Sequence, residues 1–226
     1  MKTDNEVQKD VMEEIRWDPE LKDIASEIGV SAKDGVVTLS GMVDSYLKKI
    51  AAEKAAQRVE GVKVVAVDVE VEAPRSLLKN DTEIATAIRN ALTWHSAVNE
   101  DQIEVKVDNG WVYLDGTVEW GYMKIAAENA IQGLIGVKGV TNRIQVKAKV
   151  MDVAEVKRKI NAAFHRSATI DSSAVNVEVS GNRIILSGKV RTWAERTDAE
   201  NAVWKSPGVV AVENNIEVDT SILVAM

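Results

Sequence analysis

Hydrophobic positions at the start of the chain have the spacing of an α-helix and then change to the alternation of β-strands. Val7, Val11 and Ile15 lie four residues apart, which predicts a helix that buries one face. Hydrophobic and polar residues alternate over residues 28–32, which predicts a half-buried strand, and the following pair Asp34-Gly35 favours a hairpin turn. A second strand, an amphipathic helix and a closing strand of alternating valines complete an αββαβ order.

This αββαβ pattern occurs three times along the chain. The second strand ends at a glycine in each repeat, and the three glycines are separated by 75 and then 72 residues: Gly41, Gly116 and Gly188. The same offsets align an Ala-Glu-x-Ala block and a Gly-Val pair, which begin at Ala52, Ala127 and Ala199 and at Gly61, Gly136 and Gly208. Solenoid repeats have periods of only ~20–50 residues, so each repeat is predicted to be a small domain.

The predicted fold class is α+β, with three tandem αββαβ domains that each place two helices on one face of a three-stranded mixed sheet. The predicted domains cover residues 1–73, 77–148 and 151–220. Their connectors are short and not Gly/Ser-rich, which predicts restricted packing between domains, and pseudo-threefold symmetry is one hypothesis. Asn182 replaces the aligned hairpin glycine in the third repeat, and we expect it to adopt a positive φ.

The repeated residues resemble the BON domain family. The shared pattern is V-x-L-x-G-x-V, then A-E-x-A about ten residues later, then G-V-x-x-V-x-N-x-I-x-V. The third repeat fits it through Ile184, Leu186, Gly188, Val190, Ala199, Glu200, Ala202, Gly208, Val209, Val212, Asn214, Ile216 and Val218. The first repeat departs from it at Val67, where the pattern has Asn.

The resemblance implies binding rather than catalysis. It implies attachment to a phospholipid membrane, or a role in envelope integrity and osmotic stress, so the expected partner is an anionic phospholipid surface or an envelope protein. Two alternatives stay open: a cytoplasmic sensor of potassium or another small ion, and a structural protein that forms homo-oligomers by domain stacking. The motif residues are mostly small or aliphatic and imply no functional site.

Composition excludes several kinds of chemistry. The 226 residues contain no Cys, and a net charge of -7 argues against a general nucleic-acid binder. His95 and His165 lack metal-ligand spacing, and no phosphate-binding or nucleophile motif is present, so we expect no enzyme activity, metal or cofactor. The N-terminal sequence shows no signal peptide, which favours a cytoplasmic location, or a periplasmic one if a signal has been removed.

Charge distribution points to the second or third repeat as the one that would meet an anionic surface. The first repeat has 16 acidic and 10 basic residues, the second has 9 of each, and the third has 10 and 9. The first helix of the third repeat is the most basic element, and its candidate binding residues are Lys157, Arg158, Lys159 and Arg166. The alternative is a solvated helix face paired with Asp152 and Glu155.

Aromatic residues provide a second candidate contact surface. Trp111 and Tyr113 occur only in the second repeat and lie on one face of a predicted strand. They are candidates for binding lipid or a partner, and packing against a domain or partner is favoured over membrane insertion. Trp17 and Trp94 occupy aligned positions in two repeats, and we expect them to be packing residues.

Overall fold

The computed structural model describes residues 2–96, 100–147, 152–167, 170–206 and 208–219. Six α-helices occur in this part of the chain, two in each repeat. They are α1 (Asp4–Trp17), α2 (Tyr46–Arg58), α3 (Asp81–Trp94), α4 (Gly121–Gln132), α5 (Val153–Arg166) and α6 (Trp193–Trp204). The connector over 148–151 and the predicted domain boundaries at 148, 151 and 220 lie outside the described residues.

Each repeat forms a mixed β-sheet in which the second strand is central. The strands of domain 1 are β1 (Ile28–Lys33), β2 (Val36–Val43) and β3 (Val64–Val71). Those of domain 2 are β4 (Ile103–Asp108), β5 (Trp111–Val118), β6 (Gly139–Asn142) and β7 (Gln145–Val146), and those of domain 3 are β8 (Val175–Ser180), β9 (Arg183–Val190) and β10 (Ala211–Val218). The first two strands pair antiparallel and the last pairs parallel to the central strand, and β6 and β7 are two segments of one closing strand. The predicted α+β fold is confirmed.

The predicted apolar stripes of the first helices form the cores. Val7, Val11 and Ile15 are buried in domain 1, and the aligned residues of α3 and α5 are buried in the same way. Capping residues set where these helices begin, because the side chain of Thr3 accepts the Glu6 N–H and Asn80 accepts the Glu83 N–H. The fully buried residues of each core therefore come from one repeat.

The recurring glycine at the end of the motif is required by a close approach of two backbones. Gly116 has φ +132° and lies opposite Ile103 at the start of β4. A Cβ at this position would overlap the backbone oxygen of Gln102, and the aligned Gly41 and Gly188 have the same φ range and the same obstruction. Any larger residue would separate the first two strands of the domain.

The third hairpin differs from the other two and corrects one expectation. Asp34 with Gly35 and Asn109 with Gly110 both have positive φ, the pattern of a type I′ turn. In domain 3 Gly181 has φ +59°, whereas Asn182 is not among the described non-glycine residues with positive φ. This is the pattern of a type II′ turn, in which glycine occupies the first central position. The prediction for Asn182 was therefore wrong, because the neighbouring glycine takes the left-handed conformation.

The three domains contact one another in cyclic order. At each contact, the start of the second helix of one domain meets the next domain. Tyr46, which begins α2, packs against the core of domain 2, and Trp193, which begins α6, packs against the core of domain 1. The Trp193 indole N–H donates to the Lys63 carbonyl oxygen over 2.6 Å. The aligned residue of domain 2 is Gly121, and the ring of Trp204 from domain 3 occupies the space where its side chain would be. Domain 1 thus contacts domain 2, domain 2 contacts domain 3, and domain 3 contacts domain 1.

We expect Gly116→Ala to destabilise the protein by about 2–5 kcal/mol, because the new methyl group combines backbone strain with an overlap against backbone. Urea denaturation followed by circular dichroism measures this loss. Gly133→Ala is the matched control, since Gly133 has a negative φ and its nearest neighbour is 4.0 Å from the added Cβ. A Gly116→Ala variant as stable as the Gly133→Ala variant would contradict the steric explanation.

Raising the pH should loosen the junction between domains 1 and 2. Burial raises the pKa of the Tyr46 hydroxyl, although a hydrogen bond with the backbone of Val140 acts in the opposite direction. Because the folded pKa is the higher one, the stabilisation is present below the ordinary value of about 10 and is lost as the pH rises through the folded value. As the pH rises above about 10, we expect the free energy of unfolding to fall more steeply for the native chain than for Tyr46→Phe. Equal slopes for the two proteins would contradict this role of Tyr46.

Candidate functional site

Three of the four basic residues predicted from the sequence line one groove in domain 3. Arg158, Lys159 and Arg166 project from α5 into a groove of about 720 Å³ between α5 and the end of α6. Lys205, which follows α6, adds a fourth cation, and among the described residues that line the groove Asp198 is the only acidic one. The groove is therefore strongly cationic, in a chain whose net charge is -7.

The floor of this groove combines alanines with polar groups. Ala162, Ala163 and Ala202 lie between the two helices, and their small side chains leave the space that the cations surround. Ser206 is a buried polar residue beside it, only 7% exposed. The arrangement can accept an anionic group from several directions, because guanidinium and ammonium donors lie on α5 and directly after α6.

The predicted alternative of a solvated, paired helix face holds for one residue. The Lys159 ammonium lies 2.7 Å from the Glu155 carboxylate, as expected for residues four apart on a helix. Asp152 instead caps α5, and accepts hydrogen bonds from the backbone N–H groups of Ala154 and Glu155. Lys157 is exposed on α5 and does not line the groove. The basic run of the sequence is thus divided between groove and open surface.

Trp111 and Tyr113 lie on a different domain and do not join the groove. They occupy the sheet face of domain 2 that is turned away from its core, since their neighbours Val112 and Leu114 are buried. Trp111 is 43% exposed, donates its indole N–H to Thr141 over 2.9 Å, and covers Gly139. Tyr113 has the Arg143 guanidinium 5.1 Å from its ring centre. Residues of the same domain therefore account for these contacts of Trp111 and Tyr113. A partner at this face stays a prediction.

The aligned tryptophans at the ends of the first helices are not packing residues. Trp17 is 85% exposed and Trp94 is 88% exposed, which contradicts the expectation drawn from their recurrence. The repeat offset places Arg166 of domain 3 at the same position. The exposed indoles of Trp17 and Trp94 and the groove-lining guanidinium of Arg166 therefore occupy equivalent positions of the three domains.

A polar pair inside two of the domains was missed by sequence reasoning. The Asn142 amide donates to Glu128 over 3.1 Å, and Asn214 donates to Glu200 over 3.0 Å. In domain 1, where Val67 replaces the asparagine, Glu53 instead accepts from Gln57 on its own helix. One sequence signal could have predicted this pair: repeats two and three have both the Asn and the Glu of the Ala-Glu-x-Ala block.

The described residues form neither a metal site nor a membrane-spanning helix. In that part of the chain no group of three or more His, Asp or Glu side chains is arranged to hold a metal ion. None of the helices described is long and apolar enough to cross a membrane.

Fold and geometry define a protein of three tandem αββαβ domains with a cationic groove in the third. The sequence model of the BON domain matches residues 3–73, 80–148 and 152–220. The chain therefore belongs to the BON domain family, and it contains three copies of the domain.

Two curated relatives match part of the chain. It is 32% identical over 127 residues to osmotically-inducible protein Y of Escherichia coli, and this match covers 54% of the chain and 63% of that protein. It is 28% identical over 127 residues to a protein of Anaplasma centrale named "Uncharacterized protein in gshII 5'region", with 55% and 84% covered. Among solved structures, the C-terminal domain of CdsD from Chlamydia trachomatis aligns over 92% of this chain and 94% of that one. Its identity of 13% and TM-score of 0.25 are too low to carry an argument.

Replacing Asn214 by Val, the residue that domain 1 has at this position, should cost about 1–2 kcal/mol of stability. The substitution removes the bond to Glu200 and the bond that the side-chain oxygen Oδ1 of Asn214 accepts from the Ile216 N–H over 3.2 Å. Thermal and urea denaturation measure the loss, and Asn215→Val, which changes an exposed neighbour on the same strand, is the control. Equal stability of the two variants would show that the Asn–Glu pair contributes nothing.

Proposed function

We propose that this protein is a non-enzymatic binding protein that attaches to an anionic phospholipid surface through the ends of its first helices. The observation that carries the proposal is the set of equivalent positions Trp17, Trp94 and Arg166. Each of these side chains ends the first helix of its domain, and in this proposal the three helix ends face the membrane together. Trp side chains suit the headgroup layer of a membrane, where an apolar ring and a polar N–H are both accommodated.

Charge supports an anionic surface over a neutral one. Arg166 lies in the groove with Arg158 and Lys159, so the cationic part of the molecule adjoins one of the three positions. Each Lys or Arg close to an anionic membrane contributes ~1 kcal/mol, an attraction that decays over a Debye length. The excess acidity of the chain lies in domain 1, whereas the described residues that line this groove belong to domain 3.

A role in osmotic or envelope stress is part of the proposal. Its support is the family and the 32% identity to osmotically-inducible protein Y. The chain spans 63% of the length of that relative, so the activity of the whole relative is carried over here only as a proposal.

Co-sedimentation with vesicles tests the proposal. The native chain should bind vesicles that contain phosphatidylglycerol, more weakly as salt increases, and bind little to pure phosphatidylcholine. The Arg158→Gln, Arg166→Gln double variant should lose about 2 kcal/mol of binding, roughly a 30-fold reduction in affinity. Trp17→Ala and Trp94→Ala should each weaken binding with little effect on stability, because both side chains are exposed.

Matched controls separate the groove from net charge and from tryptophan content. Lys157→Gln with Lys189→Gln makes the same charge change in the same domain but outside the groove, and should retain most of the binding. Trp111→Phe removes an exposed indole from the sheet face of domain 2 and should bind like the native chain. Failure of the native chain to bind anionic vesicles at low salt would overturn the lipid proposal, and stronger loss in Trp111→Phe would move the contact to the sheet face.

A further inference from the structure

A cavity of about 690 Å³ lies at the junction of domains 1 and 2, apart from the cationic groove. It is formed by the start of α2 and the end of β3, by the connector over residues 73–79, and by the loop between α4 and β6. Small-ligand sites commonly have volumes of ~300–1,000 Å³ and occur preferentially at domain interfaces. We call this space the junction cavity.

The apolar walls of the junction cavity are aliphatic. Leu77, Leu78 and Ile135 line it and are 44%, 62% and 51% exposed, so large apolar side chains meet water at its mouth. Ile84 is buried behind them. Trp, Tyr and Phe are all missing from the described residues of the wall. Flexible aliphatic walls without rings suit an alkyl chain better than a flat aromatic ligand.

Comparison of the repeats shows that the fold does not require this apolar surface. The residue aligned with Ile135 is Glu60 in domain 1, and the residues aligned with Gly133 are Arg58 and Lys205. The turn thus carries charge at one or both of these positions in the other domains, although Pro207 aligns with Ile135 in domain 3. The turn of domain 2, which borders the junction cavity, is uncharged at both positions.

The polar rim of the junction cavity has balanced charges. Three lysines and three carboxylates line it: Lys48, Lys79, Lys138, Asp44, Glu72 and Asp81. Lys48 and Asp44 form an ion pair of 2.7 Å, and Asp81 accepts hydrogen bonds from the Asn109 and Gly110 N–H groups over 2.8 and 2.9 Å. An equal number of residues of each sign complements a head group that carries both charges, in contrast to the cationic groove of domain 3.

We propose that the junction cavity binds a single-chain phospholipid with a zwitterionic head group, such as lysophosphatidylethanolamine. Its alkyl chain packs against Leu77, Leu78 and Ile135, which removes apolar surface of both partners from water. Its phosphate faces the lysines of the rim, and its ammonium group faces the carboxylates. This site does not depend on the proposed attachment to a membrane surface.

Calorimetric titration of the full chain with lysophosphatidylethanolamine, below the concentration at which the lipid forms micelles, tests the inference. We expect saturable binding of one molecule per chain. Ile135→Glu should weaken it by about tenfold or more, because the carboxylate would have to be buried against the alkyl chain. Domain 1 already has Glu60 at the aligned position, so the substitution is compatible with the turn. Met42→Glu, on an exposed methionine outside the cavity, is the control and should bind normally.

Separate outcomes would overturn the inference. Equal binding by Ile135→Glu and the native chain would place the lipid elsewhere, and equal affinity for palmitate would show that the zwitterionic rim plays no part. Sedimentation velocity that reveals a dimer dissociated by Ile135→Glu would assign the apolar wall to a second copy of the chain. The Arg158→Gln, Arg166→Gln variant should keep its affinity for the lysophospholipid, so loss of vesicle binding and loss of this ligand are distinguishable.

Discussion

Small side chains on α2 are the constraint on which the packing of domain 1 against domain 3 depends. Ala51, Ala52, Ala55 and Ala56 are all buried in α2, which therefore packs against its own sheet and against α6 of domain 3 at the same time. A sheet and a second helix can both approach α2 closely, because its buried side chains are alanines that end at Cβ. Larger residues at these positions would separate either helix from sheet or domain from domain.

The contacts between domains are made by the residues that differ among the repeats. Tyr46, Gly121 and Trp193 occupy one aligned position, and each has a different way of meeting the next domain. At the third contact the large side chain, Trp204, comes from the opposite partner. The large side chains at the contacts between domains thus come from positions that vary among the repeats.

The local fold was largely predictable because its signals are short in range. Helical spacing, strand alternation and hairpin glycines each involve residues close in sequence, and the stripes of α1, α3 and α5 are buried as predicted. The errors occurred where recurrence was used as a measure of burial. Trp17 and Trp94 recur but are exposed, since a position can be shared between repeats for its place on the surface as well as for packing. The prediction of a positive φ for Asn182 was wrong for a local reason, because Gly181 next to it adopts this conformation at lower cost.

The sequence by itself determined three αββαβ domains, their mixed sheets and the most basic helix, because each follows from periodicity and composition within about 70 residues. Only the tertiary structure decided which basic residues share a groove, since Lys205, which follows α6, lines it together with residues of α5. It also decided which domains contact each other, because the Trp193–Lys63 hydrogen bond joins residues 130 positions apart. Such contacts depend on shape and distance between separately folded units, and no periodic pattern along the chain records them.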